Sequence, residues 1–295
     1  MTSAFRIPRS ALADSEKKKI SDPRFKFVYD DNPDFNVIPG IGDPQMLFLA
    51  NNVSRMKHGT KLGTRIVEVH NGSSLFTGDA SGGESNLRRF IIENDMLEAI
   101  IAMPEKDFYN TGIGTYIWIV TNRKEARRKG KVQLIDATAI KTPLRKNLGE
   151  KNCETNDDDR KKILDLLMAF EENEYSKIFP NEEFGYWEVE LFKPAKDESG
   201  NVIKDKKGKV KMAKIKGEVE QIPFTYPGGI EAFHKNEVLP YEPEEAFGEP
   251  TIGYELSFTK YFYKPVQLRS IAEITADIRD IEKSTEGLLN EILER

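Results

Sequence analysis

The chain has 295 residues, of which 38% are hydrophobic and 32% are charged, so it can bury a core in one large domain or two ordinary ones. Its net charge of −5 excludes a surface that is basic throughout, as in proteins that coat nucleic acid by themselves. The lack of a long apolar run and the single cysteine predict a cytoplasmic protein with no membrane contact and no internal disulfide.

The first 42 residues show no sustained hydrophobic period and are predicted to form an irregular lead-in. A helix is expected over residues 43–57, because Asp43 is a good N-cap residue and Pro44 suits the first helical position. Four apolar residues would share its buried face, namely Met46, Leu49, Ala50 and Val53.

Residues 64–121 carry the most regular pattern. Strands are predicted at 64–69, 97–103 and 115–120, and a helix is predicted at 84–94 between the first two. This order is typical of part of an α/β sheet. Function is expected in its two polar connections, residues 71–79 and 104–114, because loops carried on a rigid sheet are common ligand sites.

Beyond this stretch we predict a strand at 132–135, a helix at 156–172 capped by Asn156 or Asp157, and a strand at 186–192. The lysine-rich segment 193–220 is expected to be an exposed loop or hairpin, with Gly200 or Gly208 at a turn. Residues 222–250 are rich in proline, acidic and aromatic residues and are expected to cross the surface as extended chain.

A final helix is expected over residues 268–295. Its apolar seam repeats at alternating intervals of three and four, the coiled-coil period, through Ile271, Ile274, Ile278, Ile281, Thr285, Leu288 and Ile292. Such a stripe can pack on its own domain. A helix of about 42 Å exceeds the diameter of a small domain, so docking on a partner is at least as well supported.

Several signatures of chemistry are missing. The sequence has no phosphate-binding P-loop, no H-E-x-x-H, no G-x-S-x-G and only three scattered histidines, so we expect no metal site. Gly40-Ile41-Gly42 follows no strand of useful length. Asn32-Pro33-Asp34-Phe35 resembles the Asn-Pro-Pro-Tyr/Phe tetrapeptide of amino-methylating enzymes, but Asp replaces the second proline and no strand is predicted before it, so we interpret it as a turn.

Two groups of residues are candidates for contact with a nucleic acid. The turn formed by Phe108, Tyr109, Asn110, Thr111 and Gly112 could stack a base and bond its edge, although a hydrophobic plug over the sheet edge is the commoner role for such aromatics. The second group lies on the other connection and the helix that follows, where an ordinary glycine turn and a surface arginine pair are the alternatives: Asn71, Gly72, Ser73, Phe76, Arg88 and Arg89.

Five phrases of the sequence then resemble one family. They are NGSSLFTGDASGGESNLRRFIIENDMLEAIIAMPEKDFYNTGIGTYIWIVTNRK, GKVQLIDAT, LRKNLGEKNCE, FEENEYSKIFPNEEFGYW and GYELSFTKYFY, in this order. They are similar to the methylation (M) subunit of type I restriction-modification systems, which are adenine-N6 DNA methyltransferases. The resemblance implies a Rossmann-like sheet, S-adenosylmethionine as cofactor, and adenine flipped out of double-stranded DNA. It also implies partners: a specificity (S) subunit, a second M subunit and a restriction (R) subunit.

The resemblance does not include the family's cofactor and catalytic motifs. The family's cofactor motif and catalytic motif lie upstream of the matching phrases, so we expect an N-terminally truncated form with no catalytic residue of its own. Phe108 to Gly112 match the family's loop near the target base, and Asn71 to Phe76 match the neighbouring loop on the same sheet edge. The helix from Ile271 to Ile292 matches the region that docks on the specificity subunit.

The expected fold class is therefore α/β: the C-terminal part of a Rossmann-like methyltransferase sheet, followed by a mixed extension and a long C-terminal helix. The expected divisions are a lead-in (1–42), the later half of the catalytic domain (43–140), a mixed extension (141–266) and a docking helix (267–295). Three functions stay open: a piece of a type I adenine-N6 methyltransferase M subunit that is inactive alone, an interaction protein that docks on the specificity subunit, and a half-sheet completed by an adjacent reading frame.

Overall fold

The structure is a computed structural model that describes residues 22–40, 44–197, 200–205, 207–263 and 268–293. In chain order its strands are β1 (Lys26–Tyr29), β2 (Asn32–Asn36), β3 (Arg65–Asn71), β4 (Leu97–Ala102), β5 (Thr115–Thr121), β6 (Lys131–Asp136), β7 (Thr142–Leu148), β8 (Lys151–Glu154), β9 (Ser176–Pro180), β10 (Gly185–Pro194), β11 (Met212–Pro223), β12 (Ala246–Phe247) and β13 (Thr251–Tyr254). Its helices are α1 (Gln45–Ser54), α2 (Ser73–Phe76), α3 (Gly83–Glu93), α4 (Asp157–Ala169), α5 (Gly229–Phe233), α6 (Phe258–Phe262) and α7 (Ile271–Leu293).

A five-stranded mixed sheet carries the predicted α/β stretch. Its order is β3-β5-β4-β6-β9. β5 runs antiparallel to both β3 and β4, while β4 and β6 are parallel. The carboxyl ends of β3, β4 and β6 therefore lie along one edge, where Asn71 pairs with Thr115 and Ala102 pairs with both Tyr116 and Asp136.

The hydrophobic patterns predicted these strands well. Every residue of β4 is buried, as expected of a short apolar run in the middle of a sheet. The predicted strands at 115–120, 132–135 and 186–192 are confirmed within β5, β6 and β10. The helix predicted at 84–94 is α3.

The two faces of this sheet are covered unequally. α1 lies over one face of β3, where the Gln45 side chain contacts His70 and the Asn52 side chain contacts Glu68. α4 covers the other face over β4 and β6, and its Ile163 packs with a cluster that contains Ala99, Ile101, Ile119, Ile135 and Ala137. On that second face, β3 leaves Val67 61% and Val69 53% exposed.

The structure tests the predicted start of α4 but not the predicted N-cap residue of α1. The buried residues of α1 are the four predicted for its inner face. Asp43, the predicted N-cap, lies outside the described residues. α4 begins as predicted, because the Asn156 side chain accepts from the Asp159 N–H while Asp159 reaches back to the Asn156 N–H. α4 ends at Ala169, since Phe170 takes a left-handed φ of 53°.

The prediction that residues 1–42 form an irregular lead-in is wrong for residues 26–36, which contain two strands. β1 and β2 form an antiparallel hairpin, and Asp30 and Asp31 make its turn with φ values of 52° and 57°. Asn32–Asn36 is therefore a strand and follows another strand, contrary to its interpretation as a turn. Proline argues against a strand interior, and two left-handed residues without glycine are an uncommon turn, which explains the error.

Two further segments hold structure that the sequence patterns did not indicate, and a third forms the hairpin expected of it with a longer paired strand. β7 and β8 form a hairpin over residues 142–154. The lysine-rich segment is a hairpin, but β11 takes up its second half and pairs with β10 along most of its length. Residues 222–250 are not extended chain throughout, since they contain α5, a π-helical turn (His234–Val238) and β12.

The chain forms two compact units, one ending at Phe258 and one beginning at Thr259. The second unit contains α7, which starts three residues after the predicted position. Among the described residues, no helix combines the length and the apolar character needed to cross a membrane.

Candidate functional site

The turn at residues 108–112 follows β4 at the carboxyl edge of the sheet. Phe108 is 43% exposed and Tyr109 is 68% exposed, so neither ring is buried as a plug over the core. Asn110 adopts a left-handed φ of 55°, a conformation that asparagine tolerates better than most residues. The turn therefore presents two aromatic faces and an amide to solvent.

A polar brace fixes the approach to this turn. The Asp107 carboxylate accepts a 2.7 Å hydrogen bond from the Thr155 hydroxyl and a 3.1 Å contact from the Lys151 ammonium. The backbone of β8 also holds the loop, because the Asn152 N–H donates to the Lys106 carbonyl at 3.1 Å. The residue next to Phe108 is thus anchored to a hairpin and a helix start more than forty residues away.

Two further residues of the β7–β8 hairpin contact the loop. Gly149, at a φ of 61°, lies so close to Asn110 that a Cβ atom there would be 2.3 Å from the Asn110 Oδ1. The Cys153 thiol donates to the Glu105 carbonyl at 3.3 Å. Burial raises the pKa of the Cys153 thiol, which therefore acts as a packing group rather than as a nucleophile.

An open cleft of about 640 Å³ lies beside the braced loop. Its floor is apolar and comes from β4, β5 and α4, while Phe108 forms part of its wall. Asp107, Lys151, Glu154 and Arg160 supply charge at its lining. A mostly apolar cleft with a few polar groups, in this volume range, is the usual form of a small-molecule or base-binding site.

The second predicted loop is closed by its own hydrogen bonds. The Gln45 side chain accepts from the Asn71 N–H at 3.0 Å and donates to the Asn71 Oδ1 at 2.6 Å and to the Ser73 hydroxyl at 2.7 Å. A Cβ atom at Gly72 would be 3.3 Å from the Tyr116 ring, so even alanine would require the ring to shift by a few tenths of an ångström. Only Phe76, 59% exposed, presents a large surface from this group.

The arginine pair is not a surface pair. Arg88 is fully buried, and its guanidinium donates to the carbonyls of Tyr254 at 2.6 Å, Ser74 at 3.1 Å and Thr77 at 2.8 Å. Burial lowers the pKa of Arg88 to about 10. The prediction of a phosphate contact at Arg88 is therefore wrong in this fold, since the side chain is buried and each of its three nitrogens donates to a main-chain carbonyl.

Arg89 is also engaged. Its guanidinium pairs with Glu93 at 3.1 Å and with Asp30 at 3.6 Å, and it lies over the rings of Tyr29 and Phe35. It joins α3 to the β1–β2 hairpin. Of the predicted residues, the structure thus exposes Phe108, Tyr109, Asn110 and Gly112 and leaves Thr111 half-buried. Asn71, Ser73 and Arg88 are held by hydrogen bonds within the fold.

Comparison with known proteins decides the family. The model of the family described as N-6 DNA methylase matches residues 11–191, more than half of the chain. The chain belongs to this family. Two curated relatives are methylase subunits of type I restriction enzymes from Methanocaldococcus jannaschii: the MjaVII subunit is 36% identical over 39% of this chain, and the MjaIX subunit is 27% identical over 55%. The matches span only 19% and 26% of the length of those relatives.

Solved structures of low identity are also similar. The methyltransferase subunit of a type I restriction-modification system from Streptococcus thermophilus is 21% identical, with a TM-score of 0.43, over 58% of this chain and 32% of that one. A modification subunit of a putative type I restriction enzyme from Vibrio vulnificus is 19% identical, with a TM-score of 0.39, over 54% of this chain and 30% of that one.

The family implies S-adenosylmethionine, and the described residues at this sheet edge do not fit it. A nucleoside cofactor on such a sheet needs a close glycine turn and a carboxylate for its ribose hydroxyls. Asp136, at the end of β6, uses its Oδ1 to accept from the Thr138 N–H at 3.0 Å and the Thr138 hydroxyl at 2.6 Å, which leaves only Oδ2 for a ligand and not the pair of oxygens that two ribose hydroxyls would need. Asn71 is held by Gln45. In the described part of the chain, no group of His, Cys, Asp and Glu could hold a metal ion.

Proposed function

We propose that this chain is part of a type I M subunit that transfers a methyl group from S-adenosylmethionine to adenine N6 in double-stranded DNA, and that it supplies walls of the target-base pocket. Membership of the N-6 DNA methylase family supports the reaction class. The observation that carries the role of this chain is the exposed aromatic pair Phe108 and Tyr109, held beside a cleft by the Asp107 brace.

The chemistry of the turn suits a flipped adenine. Stacking of a base on an aromatic ring contributes about 1–3 kcal/mol and needs an exposed face. The Asn110 amide carries both a donor and an acceptor, the set that asparagine uses on the edge of adenine. No residue of the chain is assigned a catalytic role, and the methyl donor would be held by residues other than those described. The proposal also includes the predicted division of the chain into four segments, with boundaries after residues 42, 140 and 266.

A reconstituted complex tests the proposal. The chain is combined with its specificity subunit and with an M-subunit segment that carries the cofactor and catalytic motifs, and incorporation of labelled methyl groups into duplex DNA is measured for Phe108→Ala, Tyr109→Ala and Tyr241→Ala. Tyr241 is a matched control, because it is 81% exposed and lies outside this loop. Loss of one stacking contact predicts a rate about 5- to 100-fold lower for at least one of the first two variants. Equal rates for all three variants, or no transfer by the unchanged complex, would contradict the proposal.

A second function has its own supporting observation, which is the surface of α7. Ile271, Ile274, Ile278 and Ile281 lie at the coiled-coil period and are 83%, 43%, 59% and 63% exposed. The side chains of Leu288 and Ile292, predicted to extend this seam, lie outside the described residues. An exposed isoleucine seam fits an inactive interaction protein that docks on the specificity subunit. The second M subunit and the R subunit would then join through that assembly.

Co-purification separates this alternative from the first. The double variant Ile278→Asp with Ile281→Asp should abolish capture of the specificity subunit, because it puts two charges into a seam that docking would bury. Ala276→Asp with Arg279→Asp adds acid at positions off the seam and should leave capture unchanged. Equal capture by both double variants would argue against docking through α7. Capture together with an inactive complex would favour the interaction protein.

A further inference from the structure

The hairpin of β10 and β11 extends into an arm built from a repeated turn, which we call the lysine arm (residues 195–216). The sequence DESGNVIK from Asp197 is followed directly by DKKGKVKM from Asp205, with Asp, Gly and Val at matching places. In each copy the glycine N–H donates to the aspartate carbonyl, at 2.9 and 3.0 Å, with glycine φ values of 84° and 77°. The aspartate carboxylate accepts from the N–H of the residue after the glycine, at 2.9 Å in both.

These turns fold the arm into a defined β element. The Ala195 N–H donates to the Lys211 carbonyl at 2.8 Å, the Lys211 N–H to the Ile203 carbonyl at 2.9 Å, and the Ile203 N–H to the Ala195 carbonyl at 2.8 Å. The side chains of its described residues are nevertheless almost all exposed, so the arm has no core of its own. Main-chain hydrogen bonds hold it, and its side chains remain available for a ligand.

The charge of the arm is opposite to that of the chain. Residues 202–216 contain seven lysines and one aspartate, in a chain whose net charge is −5. Lys214 pairs with Glu190 at 2.5 Å. Within the described residues, no ion pair joins a carboxylate to the exposed lysines of the second turn and its flanks, which are Lys204, Lys207, Lys209, Lys211 and Lys216. Like charges this close repel unless an anionic partner neutralises them.

The lysines lie on both faces of the arm. Lys204 pairs across the second turn with Val210, so these two side chains share one face, while Lys209 and Lys211 alternate to the other. A flat acidic protein surface could neutralise only one face. A groove of double-stranded DNA offers phosphates on both of its walls and can therefore neutralise lysines on more than one side of the arm.

We propose that the lysine arm contacts the phosphates of double-stranded DNA, independently of base sequence. This rests on the proposed function in one respect, that the protein acts on duplex DNA. It assigns to the arm a contact separate from the base-binding turn at residues 108–112. Lysine serves here as a point charge, which positions a duplex without reading it.

Binding to a duplex made only of G·C pairs tests the arm, because such a duplex offers no adenine to the base-binding turn. The affinity of the chain is measured between 50 and 200 mM salt for the unchanged protein and for Lys204→Gln, Lys207→Gln, Lys209→Gln and Lys211→Gln combined. We expect at least a tenfold loss of affinity. The slope of log K against log salt should fall by about 2 or more, since each lost phosphate contact removes about 0.9.

Two matched variants keep the test specific. Neutralising four exposed lysines elsewhere, Lys57, Lys161, Lys162 and Lys235, gives the same net charge and should leave the slope nearly unchanged. Arginine at the four arm positions should restore binding. Failure of the unchanged chain to bind the G·C duplex, equal losses in both four-lysine variants, or tighter binding to a polyglutamate chain would overturn the proposal. Loss of methyl transfer in Phe108→Ala, by contrast, bears on the base pocket alone.

Discussion

The side chains of Asp107 and Thr155 are joined by a 2.7 Å hydrogen bond across 48 residues of sequence. Asp107 immediately precedes the exposed ring of Phe108, and Thr155 immediately precedes the capped start of α4. Because the Asp107 side chain is only 11% exposed, solvent cannot easily replace this bond. The position of the aromatic turn therefore depends on a contact made by a distant helix start.

Thr155→Val should loosen that turn without unfolding the chain. It removes the hydroxyl donor and leaves the Asp107 Oδ2 without this hydrogen bond, at a cost of about 1–2 kcal/mol. Amide hydrogen exchange should accelerate at residues 105–111. Thr142→Val is the control, since it removes a similar 2.8 Å hydroxyl bond to Asp159 outside the loop. Equal exchange at residues 105–111 in both variants would refute the brace.

Gly149 gives a second test of the same site. Alanine there must adopt a φ of 61° and would bring its Cβ atom 2.3 Å from the Asn110 Oδ1. Gly130 has a similar φ of 70°, but no atom lies within 4 Å of a Cβ at that position. We expect Gly130→Ala to lower the free energy of unfolding by about 1 kcal/mol and Gly149→Ala by about 0.5–1.5 kcal/mol more, the cost of turning the exposed Asn110 amide away from the added methyl group. Urea unfolding of both variants measures the difference, and equal losses would mean that the contact with Asn110 contributes nothing.

The parts of the fold that the sequence predicted are those with a local hydrophobic period. β4, β5 and the inner face of α1 follow from apolar spacing, and the start of α4 follows from its capping residues. The β1–β2 hairpin was missed because its turn is Asp30-Asp31 and its second strand contains proline. A turn without glycine and a proline within a strand are both unfavourable for a hairpin, so the sequence indicated another structure.

The candidate site was predictable only in part, for a physical reason. Aromatic residues in a tight connection indicated the turn at Phe108. The residues that hold it, Lys151 and Thr155, are polar and act through a few long-range hydrogen bonds to Asp107, which leave no periodic signal. Arg88 was misjudged for the opposite reason, because a charged residue is rarely buried unless main-chain acceptors surround it.

Arg88 should therefore matter for stability more than its neighbour does. Arg88→Met removes the donors to three buried carbonyls, which join the loop after β3 to β13, and should cost about 3 kcal/mol or more. Arg89→Met loses partly exposed ion pairs and should cost about 1 kcal/mol. Thermal unfolding of the two variants compares them directly. A larger loss in Arg89→Met would reverse this assignment.

Asp95 should make part of the stability depend on pH. Burial raises the pKa of this carboxyl, but hydrogen bonds from Lys124 at 2.6 Å, Asn181 at 3.1 Å and the Gly130 N–H at 3.0 Å outweigh burial and lower it. A carboxyl with a lowered pKa stabilises the fold above its ordinary value of about 3.9, and this contribution is lost as the pH falls through the lower folded pKa. Burial also lowers the pKa of Lys124, but a lysine still keeps its proton throughout this acid range.

Asp95→Asn should thus destabilise the protein at pH 7, and its difference from the unchanged protein should shrink as the pH falls from the ordinary carboxyl pKa through the lowered folded pKa. Asp158→Asn is the matched control, because this substitution removes the same charge from a residue that is exposed at the start of α4. Urea unfolding at pH 7, 5, 3.5 and 2 follows the gap between Asp95→Asn and the unchanged protein. A difference that stays constant over this range would mean that Asp95 stabilises the protein through the packing and geometry of its side chain and not through its negative charge.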